Sequence, residues 1–373
     1  MEKTRLKEIA RVFLKLGIIG FGGPAVHIAM MEEEVVRKRQ WFTHEHFLDL
    51  IGATNLIPGP NSTEMALHCG KERGGWKGLL VAGACFILPA VIITAAFAWA
   101  YRQYGQLPQV QPFIYGIKPA IIGVILSLMI TLGKKALKNI ELWFIGLTCA
   151  ILAVLGINEV IILFGAGFAA ILIYYARTRL NSLNSIGPLA LLPTLAISGN
   201  NYDWRIFWIF LKVGAILYGS GYVLFAFLDS ELVKTGMLSR QTLIDAIAVG
   251  QFTPGPVFSS ATFIGWQMDG LAGAAKATIG IFLPSFLFVG FLNPLVLWLR
   301  RSKAMSAFLD AVNVAAIALI LAVCVEMGKD SINNWKTVLI LVAGIAVSLF
   351  NKKLNSAFVI IGGATAGYLL WLI

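Results

Sequence analysis

The stretch from Phe13 to Pro89 recurs, altered but in the same order, from Phe210 to Pro284. Phe13, Leu14, Lys15 and Gly17 fall on Phe210, Leu211, Lys212 and Gly214, and Gly22, Glu34 and Val36 fall on Gly219, Glu231 and Val233, all 197 positions apart. One deletion later, at a spacing of 196, Asp49, Ile51 and the triplet Pro58, Gly59, Pro60 fall on Asp245, Ile247 and Pro254, Gly255, Pro256. After one more, Gly78 meets Gly273, and Leu88 and Pro89 meet Leu283 and Pro284. Chance aligns apolar stretches, but it does not keep a lysine, a glutamate, an aspartate and a Pro-Gly-Pro in register through two single-residue shifts. The chain therefore reads as a tandem duplication, 1–180 and 195–373, and whatever it folds into must be built twice.

The repeated unit is too oily for water. Hydrophobic residues make up 58% of the chain and charged ones 13%, with a mean hydropathy of +0.79, where a soluble domain is about 25% charged. The runs at 78–101 and 279–299 exceed the roughly 20 residues that span a bilayer core. Further runs lie near 112–133, 142–157, 159–176, 206–228, 310–328, 336–350 and 356–373. With broken stretches near 13–33, 46–69 and 242–263, the expectation is an all-α polytopic protein of about ten to twelve membrane segments, multi-pass in the cell membrane. Its short loops leave no room for a separate soluble domain. The basic, then apolar start has no small-residue cleavage site and reads as a retained first segment.

The net charge of +11 is assigned to cytoplasmic loops under the positive-inside rule and, in smaller part, to attraction of an anionic solute; no nucleic-acid partner is expected. Cys69, Cys85, Cys149 and Cys324 are scattered through apolar segments without C-x-x-C pairing, which implies no disulfide, metal or cofactor. A nucleotide-binding G-x-x-x-x-G-K-[ST] run is missing from the sequence, so ATP is not the direct energy source.

Duplicated membrane halves interrupted by Gly and Pro at matching places point to a secondary transporter. The basic clusters at 3–15, 37–39 and 71–77 can all face the cytoplasm only if the stretches between them dip in and return as hairpins, broken at "GFGGP" and "IPGP". Arg37, Lys38 and Arg39 correspond to a region holding only Lys234 and Arg240, an asymmetry that favours opposite orientations of the halves. Irregular backbone at membrane depth must be buried in protein or line a wet cavity. A proline ends one helix and starts the next, so "PGPNSTE" places Asn61, Ser62 or Thr63 at a new helix start, where exposed amides and the helix dipole favour an anion. "TPGPVFSSATF" offers the same with Thr253, Ser259, Ser260 and Thr262. Gly22, Gly23 and Pro24, and Gly219, Ser220 and Gly221, mark the other break of each half. Glycine and proline also serve simply to kink or closely pack membrane helices, but here whole motifs are duplicated.

Among charged residues, Lys15 and Lys212 lie two turns before the first breaks and either point toward them or snorkel to the interface. Asp49 and Asp245 precede the Pro-Gly-Pro turns. Glu64 and His68, four apart on one helix face, and His27 beside the first break, are candidates for taking up and releasing protons; the positions matching Glu64 and His68 in the second half are Ser260 and Ile264. Lys118 and Glu326 are isolated charges in apolar runs.

"GFGGPAVHIAMMEEEVV" with "NLIPGPNSTEMALHCG", followed by "YGSGYVLFAFLDSELV" with "AIAVGQFTPGPVFSSATFIG", resembles the chromate ion transporter family, in its long form of two fused chromate transporter domains. The resemblance covers nearly the whole chain. It implies chromate export by a secondary mechanism, with sulfate as look-alike and competitor, and halves of opposite orientation. The residues matching the family's breaks are Gly22, Gly23, Pro24, Pro58, Gly59 and Pro60, with Gly219, Gly221, Pro254, Gly255 and Pro256. The expected partners are a chromate- or sulfate-like oxyanion and the lipid bilayer, with a homodimer left open. Rival readings are a sulfate or other oxyanion transporter or channel and, with no visible redox motif, a membrane-embedded enzyme.

Overall fold

The computed structural model describes residues 2–105, 107, 109–179, 202–218, 221, 223–291, 302–351 and 354–372. Among these residues the regular elements are all helical and fall into two matched series. The first holds α1 (Glu2–Ile19), α2 (Pro24–Met31, running on as a π turn over Glu32–Lys38), α3 (His44–Thr54), α4 (Asn61–Tyr104), α5 (Gln111–Ala136), α6 (Ile140–Val154) and α7 (Glu159–Arg179). The second holds α8 (Tyr202–Ile216), α9 (Val223–Leu228, again continued by a π turn, Asp229–Val233), α10 (Arg240–Phe252), α11 (Ser260–Phe291, after a 3-10 turn at Val257–Ser259), α12 (Lys303–Ser331), α13 (Trp335–Phe350) and α14 (Ser356–Trp371). Even the π turns recur at the same place. The apolar run at 206–228, expected as one span, is two helices, because α8 ends at Ile216 and α9 begins at Val223. Hydropathy does not register a break made of glycines among apolar residues.

By length and composition, α4, α5, α7, the stretch Val257–Phe291 and α12 can each cross a bilayer, while α6, α13 and α14 are apolar but shorter. The protein is a multi-pass membrane protein.

Helix α4 is a hairpin. Its backbone leaves helical geometry at Gly74 (φ −139, ψ 18) and Gly75 (φ 62, ψ −151). Gly70 and Gly78 then lie so close that a Cβ on either would collide with the backbone oxygen of the other. Such contacts drive membrane helices together by close packing where lipid removes the hydrophobic incentive. Helix α11 repeats the device at Asp269 (φ −146, ψ 34) and Gly270 (φ 56, ψ −144), with Gly265 against Gly273 and the Thr262 and Thr278 hydroxyls 2.7 Å apart.

Ion pairs fix which ends share a face. Lys77 bonds Glu2 at 2.9 Å, Arg73 and Arg39 reach Glu8 at 3.3 and 3.5 Å, and the Trp41 indole donates to Glu8 at 3.2 Å. The start of α1, the end of the first π turn and the first hairpin turn therefore sit together, and both broken stretches dip in and return. The long arm of α4, residues 76–104, then runs about 43 Å to the other face. There the Tyr101 hydroxyl donates to Asp245 at 2.6 Å, Gln267 donates to the Ala98 carbonyl at 2.9 Å, and the Arg102 guanidinium lies beside Gly270 of the second hairpin turn. At the near end Trp76 packs on Phe291, with ring centroids 4.9 Å apart. The long arms are antiparallel, their turns lie on opposite faces, and the two halves are inverted.

The halves also interlock. One group of helices has α1 on α4, α8 on α11, and α4 against α11. In the other, α5 meets α12, while α13 and α14 of the second half wrap α5, and α6 and α7 of the first half wrap α12.

Candidate functional site

Gly59 has φ 134 and Gly255 φ 90, conformations open to glycine and strained for any residue with a Cβ. In these conformations the Gly59 amide donates to the Leu217 carbonyl and the Gly255 amide to the Gly20 carbonyl, both at 2.8 Å. Leu217 and Gly20 are themselves repeat equivalents, 197 positions apart. Each Pro-Gly-Pro turn thus ends on the first break of the other half, and the breaks gather in one place. The two glycine amides are already spent on this reciprocal contact.

The helix starts supply what remains. Helix α4 begins at Asn61 with Pro60 as its cap. The Thr63 and Glu64 amides turn back to the Pro60 carbonyl at 2.8 and 3.0 Å, which leaves those of Asn61 and Ser62 at the open head of the helix. Ser62 is buried, and the Asn61 side-chain amide donates to Asn55 at 2.9 Å. In the second half the 3-10 turn intervenes, the Ser259 amide returns to Pro256 at 2.9 Å, and the Thr94 hydroxyl lies 3.3 Å from that of Thr253 and 3.2 Å from that of Ser259. Pro58, Pro60, Pro254 and Pro256 are all buried around these turns.

Glu64 is fully enclosed, with Oε1 accepting from the Ser285 hydroxyl of α11 at 3.3 Å. Its Oε2, both ring nitrogens of His68 and the Thr63 hydroxyl are buried, and no hydrogen-bond partner for them occurs among the described residues. Glu64 and His68 are therefore not a bonded i,i+4 pair. Burying unpartnered polar atoms costs stability, which sets these groups apart from the apolar packing around them. His27, also buried, donates from Nε2 to the Gly20 carbonyl at 2.8 Å and sets its ring edge-on to Phe86, so this carbonyl serves two donors.

Other sequence candidates stand apart. Lys15 does not point at a break; its Nζ meets Glu34 at 2.6 Å, and Lys212 meets Glu231 at the same distance. The π turn brings position 34 back beside position 15, and the Lys15 ammonium holds the Glu34 carboxyl below the usual carboxylate range. Gly22 (φ 116) and Gly23 (φ 82) shape the turn that opens α2 at Pro24, but Gly22 is exposed and Gly23 and Pro24 are half-buried. Gly221 is half-buried near Phe258 and Val257, while Gly219 and Ser220 lie outside the described residues. Glu326 is not isolated, pairing with Lys329 at 2.7 Å and Arg240 at 3.5 Å. Asp245 is buried and accepts from Tyr101 and Gln241, whereas its equivalent Asp49 is exposed.

Sequence reasoning missed Thr94, Ser285 and Asn55. For Ser285 a signal existed: it follows the in-helix Pro284, where the first half has Ala90 after Pro89.

The chromate transporter family model matches the chain twice, over residues 7–171 and 204–368. A probable chromate transport protein of Synechococcus elongatus is 32% identical, over 98% of this chain and 96% of its own length. A chromate transport protein of Cupriavidus metallidurans is 32% identical, over 97% and 92%. YwrB, an uncharacterized transporter of Bacillus subtilis, is 29% identical over 42% of this chain and 80% of its own. No solved structure matches the chain.

Proposed function

The chain belongs to the chromate transporter family, and we propose that it is a secondary transporter that exports chromate from the cytoplasm, holding the dianion where the broken helices meet. The reciprocal bonds from Gly59 to Leu217 and from Gly255 to Gly20 carry this reading. They gather two helix starts and a set of buried hydroxyls at the junction of two inverted repeats. Amides at a helix head and neutral hydroxyls suit a tetrahedral oxyanion, and their moderate grip suits a site that must also let go.

The face that gathers α1, the first π turn and the first hairpin turn is the basic one, and it is taken as cytoplasmic. A dianion leaving a cell that is negative inside gains about 4.6 kcal/mol per 100 mV, twice the value for a single charge. Glu64, His68 and His27 are the proposed proton carriers, since buried and incompletely partnered groups beside the anion can change charge as it comes and goes. The moving bodies are the two interlocked helix groups rather than the two halves.

The test is uptake of labelled chromate into inverted vesicles, with sulfate and phosphate as comparison anions, at several imposed pH gradients. Saturable chromate accumulation that responds to the gradient is expected. Preferential accumulation of sulfate would favour the general oxyanion reading, and movement of none of the three would sink the proposal.

A further inference from the structure

A polar cavity of about 330 Å³ lies between the first Pro-Gly-Pro turn and α12, with Asn55, Ile57 and Asn61 on one wall and Ser306, Asp310 and Asn313 on the other. One wall belongs to each helix group. Lys138, at the end of α5, grips both Asp310 carboxylate oxygens at 2.8 and 3.0 Å. Helix α12 starts at the basic face, so the cavity leads from that face to the head of α4.

The equivalent place on the other face is shut. At the spacing of 196, Asn55 corresponds to Gln251 and Asn61 to Val257. Both are buried, and Ser356 of α14 donates to Gln251 at 3.1 Å. Asn55 is exposed and Asn61 half-buried.

We propose that this cavity is a substrate subsite, in which a tetrahedral oxyanion entering from the cytoplasm is held by the amide groups of Asn55, Asn61 and Asn313 and the hydroxyl of Ser306. The proposal rests on the oxyanion-transport reading and deepens it. Among the described residues only one Asn61 amide hydrogen is committed, to Asn55, so the three asparagines and the serine retain donors there for anionic oxygens. The cavity has room for such an ion with several waters of about 30 Å³ each. Asp310 opposes an anion, and Lys138 offsets it. The pair makes the cavity nearly neutral, which keeps the dianion passing through rather than trapped.

The charge logic gives opposite signs for two single changes, which a merely structural role would not. In inverted vesicles, Asp310→Asn should lower the chromate KM several-fold, and Asn313→Asp should raise it about tenfold, as expected for a like charge at short range, with little change in maximal rate. Asn313→Ser, which loses the amide but adds no charge, should raise KM less than Asn313→Asp does, and the gap between the two isolates the charge. If the parent transports chromate while both charge variants keep its KM within twofold, or shift it in the same direction, the subsite is wrong and the transport function stands. If the parent moves no oxyanion at all, the function and the subsite fall together.

Discussion

Helices α2 and α9 are the same element built twice, yet every residue of α9 is buried, whereas in α2 only His27 and Met31 are. The next pair differs in the same way. Helix α10 buries most of its length, including Asp245 and Gln251, and α3 buries only Phe47, Leu50, Ala53 and Thr54. The cause lies in what covers them. Helix α9 packs on α12, and α10 on α5 and α14, while the first Pro-Gly-Pro turn faces α12 across an open cavity. Among the described residues, the Pro-Gly-Pro turn of the second repeat is covered and that of the first faces a cavity.

The largest effect should come from freezing this difference. A short reversible cross-linker between cysteines at Gln251 and Ser356 should hold the closed face shut and abolish vesicle uptake, with reductant restoring it. Unchanged turnover in the cross-linked protein would mean that this face does not open. Next, Glu64→Gln should cut the response to an imposed pH gradient about tenfold, or ~1.4 kcal/mol. Adding Ser260→Glu should not rescue it, because the position opposite is Ala90 rather than Ser285; rescue would make the two repeats interchangeable in proton handling.

Gly59→Ala and Gly255→Ala should each cost about 1–3 kcal/mol of stability from the positive φ alone, read by thermal unfolding in detergent. The first should be worse, since its Cβ would run into Glu64 and Ser285, whereas at Gly255 the nearest atom is the Ala90 Cβ at 3.0 Å. Equal losses would place the cost in the backbone alone. The smallest effects belong to Lys15→Ala and Lys212→Ala: partly exposed ion pairs are worth about 1 kcal/mol or less, and KM should hold within twofold for both. A large KM rise for Lys15 alone would return that lysine to the substrate path.

Much of this was readable beforehand. The duplication, the inverted orientation and the return of the stretches broken at Gly22–Pro24 and Pro58–Pro60 followed from repeated glycines, prolines and the placement of basic clusters, whereas the bends at Gly74–Gly75 and Asp269–Gly270 did not. Lys15, Lys212, Glu34 and Glu231 were each visible as repeat-matched, but their pairing depends on a π turn that no residue pattern announces. The wrapping of α13 and α14 around α5 was hidden because uniformly apolar helices carry no mark of which neighbour they choose. The unequal covering of the two Pro-Gly-Pro turns was not legible, since it depends on which distant helices pack there and the local residues carry no mark of that.

The two amide-to-carbonyl bonds at the breaks bear on how such a chain arose. The Gly59 amide and the Gly255 amide each bond a carbonyl of the other repeat, approaching upside down. A protein consisting of a single repeat would make the same bonds only by joining a second copy inserted in the opposite direction. Fusion of two such copies turns a requirement on membrane insertion and encounter into a property of one polypeptide, and frees each repeat to drift, as Glu64 and Ser260 have.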